Sequence, residues 1–220
     1  RYSAVSLERA AIGVQTSVKG SSHDGYHVID AATRQSLHDE EREFAYEVLV
    51  GLSATPKRLP SRYFYDDEGS RLFQRIMSLE EYYPTDCEHE ILETHRGEIA
   101  DLLADEPLLL VDLGAGDGAK TFLLLEHLQR RSVDFCYVPI DISEGAMRGL
   151  VARVRQRLPG VRVEGLVAEY TDGLRYLATQ HSSTRKLVLF LGSNIGNFDR
   201  GRARAFLRRV WSALEHGDLL

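Results

Sequence analysis

Leu108-Leu109-Leu110-Val111-Asp112-Leu113-Gly114-Ala115-Gly116-Asp117-Gly118 is the stretch whose reading decides the fold. An unbroken apolar run that stops at an acid and passes into alternating glycines reads as a buried strand turning sharply toward a helix. Glycines at such a turn let the backbone approach a ligand closely, and the helix start offers N–H groups to it. A helical pattern follows, with Phe122, Leu125 and Leu128 on one face. The same texture then repeats. An apolar run over 135–140 ends at Asp141 and precedes a helix over 143–158; a run over 161–167 ends at Glu169 before a helix near 172–178. A run over 187–191 leads into Gly192-Ser193-Asn194-Ile195-Gly196-Asn197-Phe198. Asp199 then caps a helix carrying Phe206, Val210, Trp211 and Leu214, stopped by Gly217. Short apolar runs alternating with helices predict an α/β fold: a Rossmann-like parallel sheet with helices on both faces. A further strand begins at Asp218-Leu219-Leu220, so the sheet is expected to continue beyond this chain.

Upstream of Pro107 the pattern is helical. A helix is expected from Ser36 with Leu37, Phe44, Val48 and Leu49 on one face, and a short one carries Leu72, Phe73, Ile76 and Met77. Thr85 and Glu88 read as a capping box for a third, along which Ile91, Leu92, His95, Ile99 and Leu102 recur; His95 is expected to be buried there. Residues 1–35 are weakly patterned and read as an arm. Gly25, between His23 and His27, argues against a helix that would bring that pair onto a metal. The expected organisation is an arm over 1–35, a helical cap over 36–106 that contributes to the substrate pocket, and a nucleoside-binding Rossmann-like domain over 107–220.

Composition narrows the function. The 220 residues carry 27 Lys+Arg against 33 Asp+Glu, a net charge of −6, so no basic field is available for a phosphate backbone and no nucleic-acid partner is expected. The 2 cysteines, Cys87 and Cys136, give no disulfide framework, and the apolar runs are too short to cross a bilayer. No membrane partner and a cytoplasmic location are the expectation, with no metal.

The strand ends carry the chemistry. In open parallel sheets, ligands bind beyond the carboxyl ends of the strands near the point where strand order reverses. There Asp141 is placed to accept hydrogen bonds from ribose hydroxyls, and Glu169-Tyr170 to bracket an adenine. Gly114 and Gly116 suit a nicotinamide dinucleotide as well. Ala119 takes the last position of that glycine pattern, a tolerated variant, but no Tyr-x-x-x-Lys pair exists for short-chain-type hydride transfer. An acid before Gly-x-Gly-x-Gly fits S-adenosylmethionine better, with a carboxylate near the first loop facing the methionine amine.

Six stretches, in order, carry a resemblance: 59–66 (Leu-Pro-Ser-Arg-Tyr-Phe-Tyr-Asp), Glu68-Gly69-Ser70, Glu81-Tyr82-Tyr83-Pro84-Thr85, 112–116 with Lys120-Thr121, Pro139-Ile140-Asp141-Ile142-Ser143, and 191–198. Together they resemble the histidine-specific S-adenosylmethionine-dependent methyltransferases over 59–220. The resemblance implies a class I methyltransferase fold and a cofactor, S-adenosyl-L-methionine, held by Gly114, Gly116, Lys120 and Asp141 with Glu169 and Tyr170 at its adenine. Family members often have Asp where Glu169 stands, a departure that keeps an acceptor. It further implies a small-molecule amino-acid substrate lined by Tyr65, Tyr82 and Asn197, with Asn197 on the carboxylate and Tyr82 as the catalytic residue near the reacting amine. Tyr63 and Phe64 are left to packing. The remaining substrate contacts of the family lie in a C-terminal portion that this chain lacks, so the chain is expected to belong to a longer or fused polypeptide. The implied reaction is Nα-methylation of histidine to the trimethylated betaine, as in ergothioneine biosynthesis. An indole amino acid is the alternative within the family. A nicotinamide-dependent oxidoreductase and a non-catalytic Rossmann-like domain are the alternatives outside it.

Overall fold

The computed structural model describes residues 20–29, 37–64, 67–103 and 105–220. Strand β3 (Leu108–Leu113) is buried at every position, as a central parallel strand covered on both faces must be. It pairs in parallel with β4 (Phe135–Asp141) on one side and β7 (Arg185–Leu189) on the other. The run read as a third strand is split at Glu164 into β5 (Arg162–Val163) and β6 (Gly165–Val167), both parallel to β4. Leu219 adds a parallel bridge beside Leu187. The order β6-β4-β3-β7 places β3 and β7 on either side of the point where the connections change direction.

Alternation along β3 divides the core. Leu108 and Leu110 face α3 (Pro84–Leu103), α4 (Ala119–Arg130) and α5 (Glu144–Arg157), joining Leu103, Leu124, Leu128 and Leu150. Leu109, Val111 and Leu113 face α6 (Tyr170–Gln180) and α7 (Arg200–Ala213), joining Leu174, Leu177, Phe206 and Val210. Each fully buried leucine is worth roughly 1.5–3 kcal/mol of transfer free energy. Caps set the helix starts: Ser143 accepts from the Ala146 amide at 3.1 Å, and Asp199 accepts from the Arg202 amide at 2.9 Å.

At the far end of the sheet the expectation of an unpatterned arm fails for residues 20–29. They form a hairpin of β1 (Gly20–His23) and β2 (Tyr26–Ile29), antiparallel to each other, with β2 parallel to β6. The two-residue Asp24-Gly25 turn, with Gly25 at φ +90, is a strong local hairpin signal. Tyr26 then packs on Met147, Val151 and Val167. His23 stacks on Tyr26, and His27 lies beside Tyr176 instead of joining His23.

The cap consists of α1 (Leu37–Ser53), a 3-10 turn (Ser61–Phe64), α2 (Asp67–Met77) and α3. Along α3 the period is right but the phase is shifted: Leu92, Ala100 and Leu103 are buried, whereas Ile91 and Leu102 face out. His95 is correspondingly exposed, 3.1 Å from Glu98. Tyr63 packs edge-on to Phe44, but Phe64 is exposed, and so is Trp211 on α7. Tyr65 and the expected helix start at Ser36 lie outside the described residues. No helix among those residues is long and apolar enough to cross a membrane.

At the start of β7, Lys186 and Asp218 form a pair whose side chains are each 2% exposed, Nζ to Oδ2 3.2 Å. Asp218 also accepts from the backbone amides of Lys186 (2.7 Å) and Glu215 (2.8 Å). One carboxylate thus ties the segment carrying Leu219 to the sheet.

Candidate functional site

A cavity of about 320 Å³ opens at the carboxyl ends of β3, β4, β6 and β7, within the range of small-ligand pockets. Gly114, Gly116, Lys120, Asp141, Glu169, Tyr170 and Asn197 all line it, so these expected residues are brought together from separate strand ends. Glu47, Ser61, Phe73, Gln74 and Met77 of the cap close its other side, with Phe198 and Arg202. The sequence reading named none of these as site residues, because nothing local in α1 or α2 signals which turn faces the sheet.

The glycine loop is shaped from below. The Gly114 amide donates to the Ile140 carbonyl at 2.8 Å, turning the chain off β3. Gly114, Gly116 and Gly118 all have positive φ, a region that costs a side chain. A Cβ on Gly114 would also come within 2.7 Å of the Tyr170 hydroxyl and 3.0 Å of Asn194 Nδ2. Gly114→Ala is therefore expected to leave the chain folded but weaken nucleoside binding at least tenfold, read by calorimetry alongside thermal melting; unchanged affinity would show that the loop has slack.

Beneath the loop, Asp112 is 2% exposed. Its Oδ2 accepts from Thr121 Oγ1 at 2.6 Å and from the Tyr137 hydroxyl at 2.9 Å. Burial pushes its pKa up while these two donors pull it back. The acid expected to face a methionine amine thus joins β3, α4 and β4 through Oδ2, and it also lines the cavity. Burial likewise holds the pKa of Tyr137 well above its ordinary value.

Asp141 does two jobs at once. Its Oδ2 accepts from the Gly116 amide at 2.9 Å and its Oδ1 from the Ser143 amide at 2.9 Å, so it braces the loop from the neighbouring strand. A carboxylate has about four lone-pair positions, which leaves acceptor capacity for hydroxyls in the cavity. Burial raises its pKa and the amides of Ser143, Gly116 and Ile142 lower it in part. Glu169 starts α6 in extended conformation. Tyr170 packs edge-on to Phe190, within an aromatic group that includes Phe206.

Tyr82 does not reach the cavity. Its ring meets Phe73 edge-to-face with centroids 6.0 Å apart, and Phe73 is the residue that lines the wall. Glu88 is a further departure. Pro84 opens α3, and the Glu88 side chain reaches Lys120 Nζ and the Gly192 amide instead of closing a capping box. Cys87 is exposed, and burial pushes the Cys136 thiol up to about 11, away from a reactive thiolate.

A glycine cradle, an acid on the next strand and a carboxylate–aromatic pair on the third define a Rossmann-like nucleoside-binding domain, and the residues present fit an adenosyl cofactor. The profile of the histidine-specific, SAM-dependent methyltransferases matches residues 44–220, and the chain belongs to that family. It is 36% identical over 174 residues to a histidine N-alpha-methyltransferase of Mycolicibacterium smegmatis, covering 79% of this chain and 53% of the relative. It is 35% identical over 206 residues to ergothioneine biosynthesis protein 1 of Neurospora crassa, covering 88% of this chain and 23% of that protein. A 4-dimethylallyltryptophan N-methyltransferase of Claviceps fusiformis is 32% identical over 183 residues, with 82% and 51% covered. The chain thus spans about half or less of the length of these relatives.

Proposed function

We propose that this chain carries the cofactor site and part of the substrate pocket of an S-adenosylmethionine-dependent methyltransferase acting on the α-amino group of free L-histidine. The observation that supports this most is the convergence of Gly114, Lys120, Asp141, Glu169 and Asn197 on one cavity closed by the cap. Bound there, the cofactor would supply an electrophilic methyl carbon on a sulfonium: the new N–C bond would form as the S–C bond breaks, with the neutral thioether as leaving group. In this reading Asp141 takes the ribose hydroxyls, Lys120 the methionine carboxylate, and Glu169 with Tyr170 the adenine. Asn197 holds the substrate carboxylate, and the cap excludes water.

What the protein contributes is chiefly position: an amine nitrogen held in line, about 3 Å behind the methyl carbon, gains most of what orientation offers. A free amino-acid amine is mostly protonated at neutral pH, so its proton leaves to water before attack. Tyr65 belongs to the amino-acid pocket in this proposal. Tyr82 is proposed as the residue near the reacting amine; in this structure its ring lies behind Phe73, with centroids 6.0 Å apart. The enzyme is proposed to be cytoplasmic, to need no metal and no nucleic-acid or membrane partner, and to work within a longer or fused polypeptide. An indole amino acid is the second substrate reading, favoured by the named activity of the Claviceps relative.

The test is calorimetric titration with S-adenosylhomocysteine, then histidine or tryptophan, and mass spectrometry of the product formed in a separate incubation with S-adenosylmethionine. Heat from histidine on the complex, with up to three methyls added, is the expected result. Heat from tryptophan alone would move the assignment to the indole substrate. Binding of a nicotinamide dinucleotide in place of S-adenosylhomocysteine would overturn the reading.

A further inference from the structure

Glu88 sits on α3, in the cap, yet its carboxylate is engaged entirely by the other half of the protein. Its Oε2 takes the Lys120 ammonium in the first turn of α4. Its Oε1 accepts from the Gly192 amide, in the loop after β7, at 2.6 Å. The two side chains are only 19% and 21% exposed. An added Cβ at Gly192 would lie 3.3 Å from Lys120 Nζ, so ammonium, carboxylate and loop form one compact group. Lys120 and Gly192 line the cavity, whereas Glu88 stands behind them.

From this we infer that Glu88 is a positioning residue: it holds the Lys120 ammonium against the cavity wall so that it meets the carboxylate at the amino-acid end of the cofactor. The inference rests on the cofactor reading above. A lysine on four rotatable bonds has several ways to satisfy its charge, and fixing one of them in advance removes an ordering cost from ligand binding. Charge alone works in two directions. Glu88 repels the ligand carboxylate but attracts the α-ammonium beside it. For that zwitterion the two largely cancel, which leaves position as the net effect. Glutamine cannot substitute fully, because its single oxygen faces two donors where the carboxylate presents two acceptors.

The experiment compares two ligands on the full chain by calorimetry. S-adenosylhomocysteine carries the amino-acid end; 5′-methylthioadenosine has the same nucleoside and sulfur without it. Glu88→Gln is expected to weaken the first about tenfold, the size of a hydrogen bond to a charged group, and to change the second less than twofold. Lys120→Met is expected to show the same selectivity, and the double variant to be no weaker than Lys120→Met alone. Equal weakening of both ligands by Glu88→Gln would reduce Glu88 to a structural tie and overturn the inference. So would an unchanged S-adenosylhomocysteine affinity in either single variant. Failure of the parent chain to bind either nucleoside would overturn the cofactor reading itself, a separate outcome.

Discussion

Asp141→Ala is expected to weaken S-adenosylhomocysteine binding by at least a hundredfold while the chain stays folded. The carboxylate holds the Gly116 and Ser143 amides and, in the proposed complex, the ribose hydroxyls. Hydrogen bonds to a charged group are worth about 1.5–3 kcal/mol each, and two lost ribose contacts reach that factor before any loosening of the loop is counted. Acid should have a milder form of the same effect. Because burial raises the pKa of Asp141, affinity should decline at a higher pH than an ordinary carboxylate would give, as protonation removes an acceptor. Folding has the opposite sign for this group. A carboxyl whose pKa is raised in the folded chain costs stability above that pKa, and the cost disappears below the unfolded value. Acid therefore loosens the ligand without Asp141 driving unfolding. Calorimetry over a pH series, with Asp141→Asn as the control that removes the titration, checks both signs. A flat profile in the parent chain would remove Asp141 from the ribose.

Asp218→Ala should lower stability by about 3–5 kcal/mol, the usual cost of orphaning one member of a buried ion pair. It would leave the Lys186 ammonium with the Thr184 carbonyl at 3.2 Å and deprive the Lys186 and Glu215 amides of their acceptor. For a domain of this size that corresponds to a fall in melting temperature of roughly 6–20 °C. Replacing both partners, with Lys186→Met and Asp218→Leu, should recover the part of the loss due to the orphaned charge, since a well-packed apolar pair needs no counter-charge, but not the part due to the Lys186 and Glu215 amides. Thermal and urea unfolding decide it. A loss under 1 kcal/mol would mean that water reaches Lys186.

The Rossmann-like half was legible because its signals are local. A run such as 108–113 announces its own burial, and an acid or glycine at its end falls on the binding edge by the geometry of parallel strands. Gly114, Asp141, Glu169 and Asn197 could therefore be picked out before any contact was known, and the structure places them on one cavity. The cap resisted the same treatment. A stripe with a period near 3.6 gives a helix but not its rotation, so it does not tell that His95 faces out while Leu92, Ala100 and Leu103 are buried. Glu88 fitted a capping pattern with Thr85, yet its partners lie 32 and 104 residues away, a choice only the tertiary fold makes. Tyr82 lies one ring behind Phe73, a depth that sequence spacing does not encode. The hairpin is hidden for a different reason. Asp24-Gly25 is a readable turn, but its flanks of Ser21, Ser22, Val28 and Ile29 lack the alternation that marks a half-buried strand.

That hairpin has a consequence for how copies of the protein meet each other. Without it, Gly165–Val167 would end the sheet with a bare backbone ladder beside two apolar side chains, Leu166 and Val167, the kind of edge onto which a strand from a second molecule can add. With it, the outermost strand among the described residues is Gly20–His23, whose glycine, serine and histidine are too polar to template much pairing. Asp24, 2.8 Å from Arg155 on α5, anchors the turn to the helix behind the sheet. Residues 20–29 therefore act on colloidal behaviour: they cap a growth point, and trimming them would be felt first as self-association in concentrated solution.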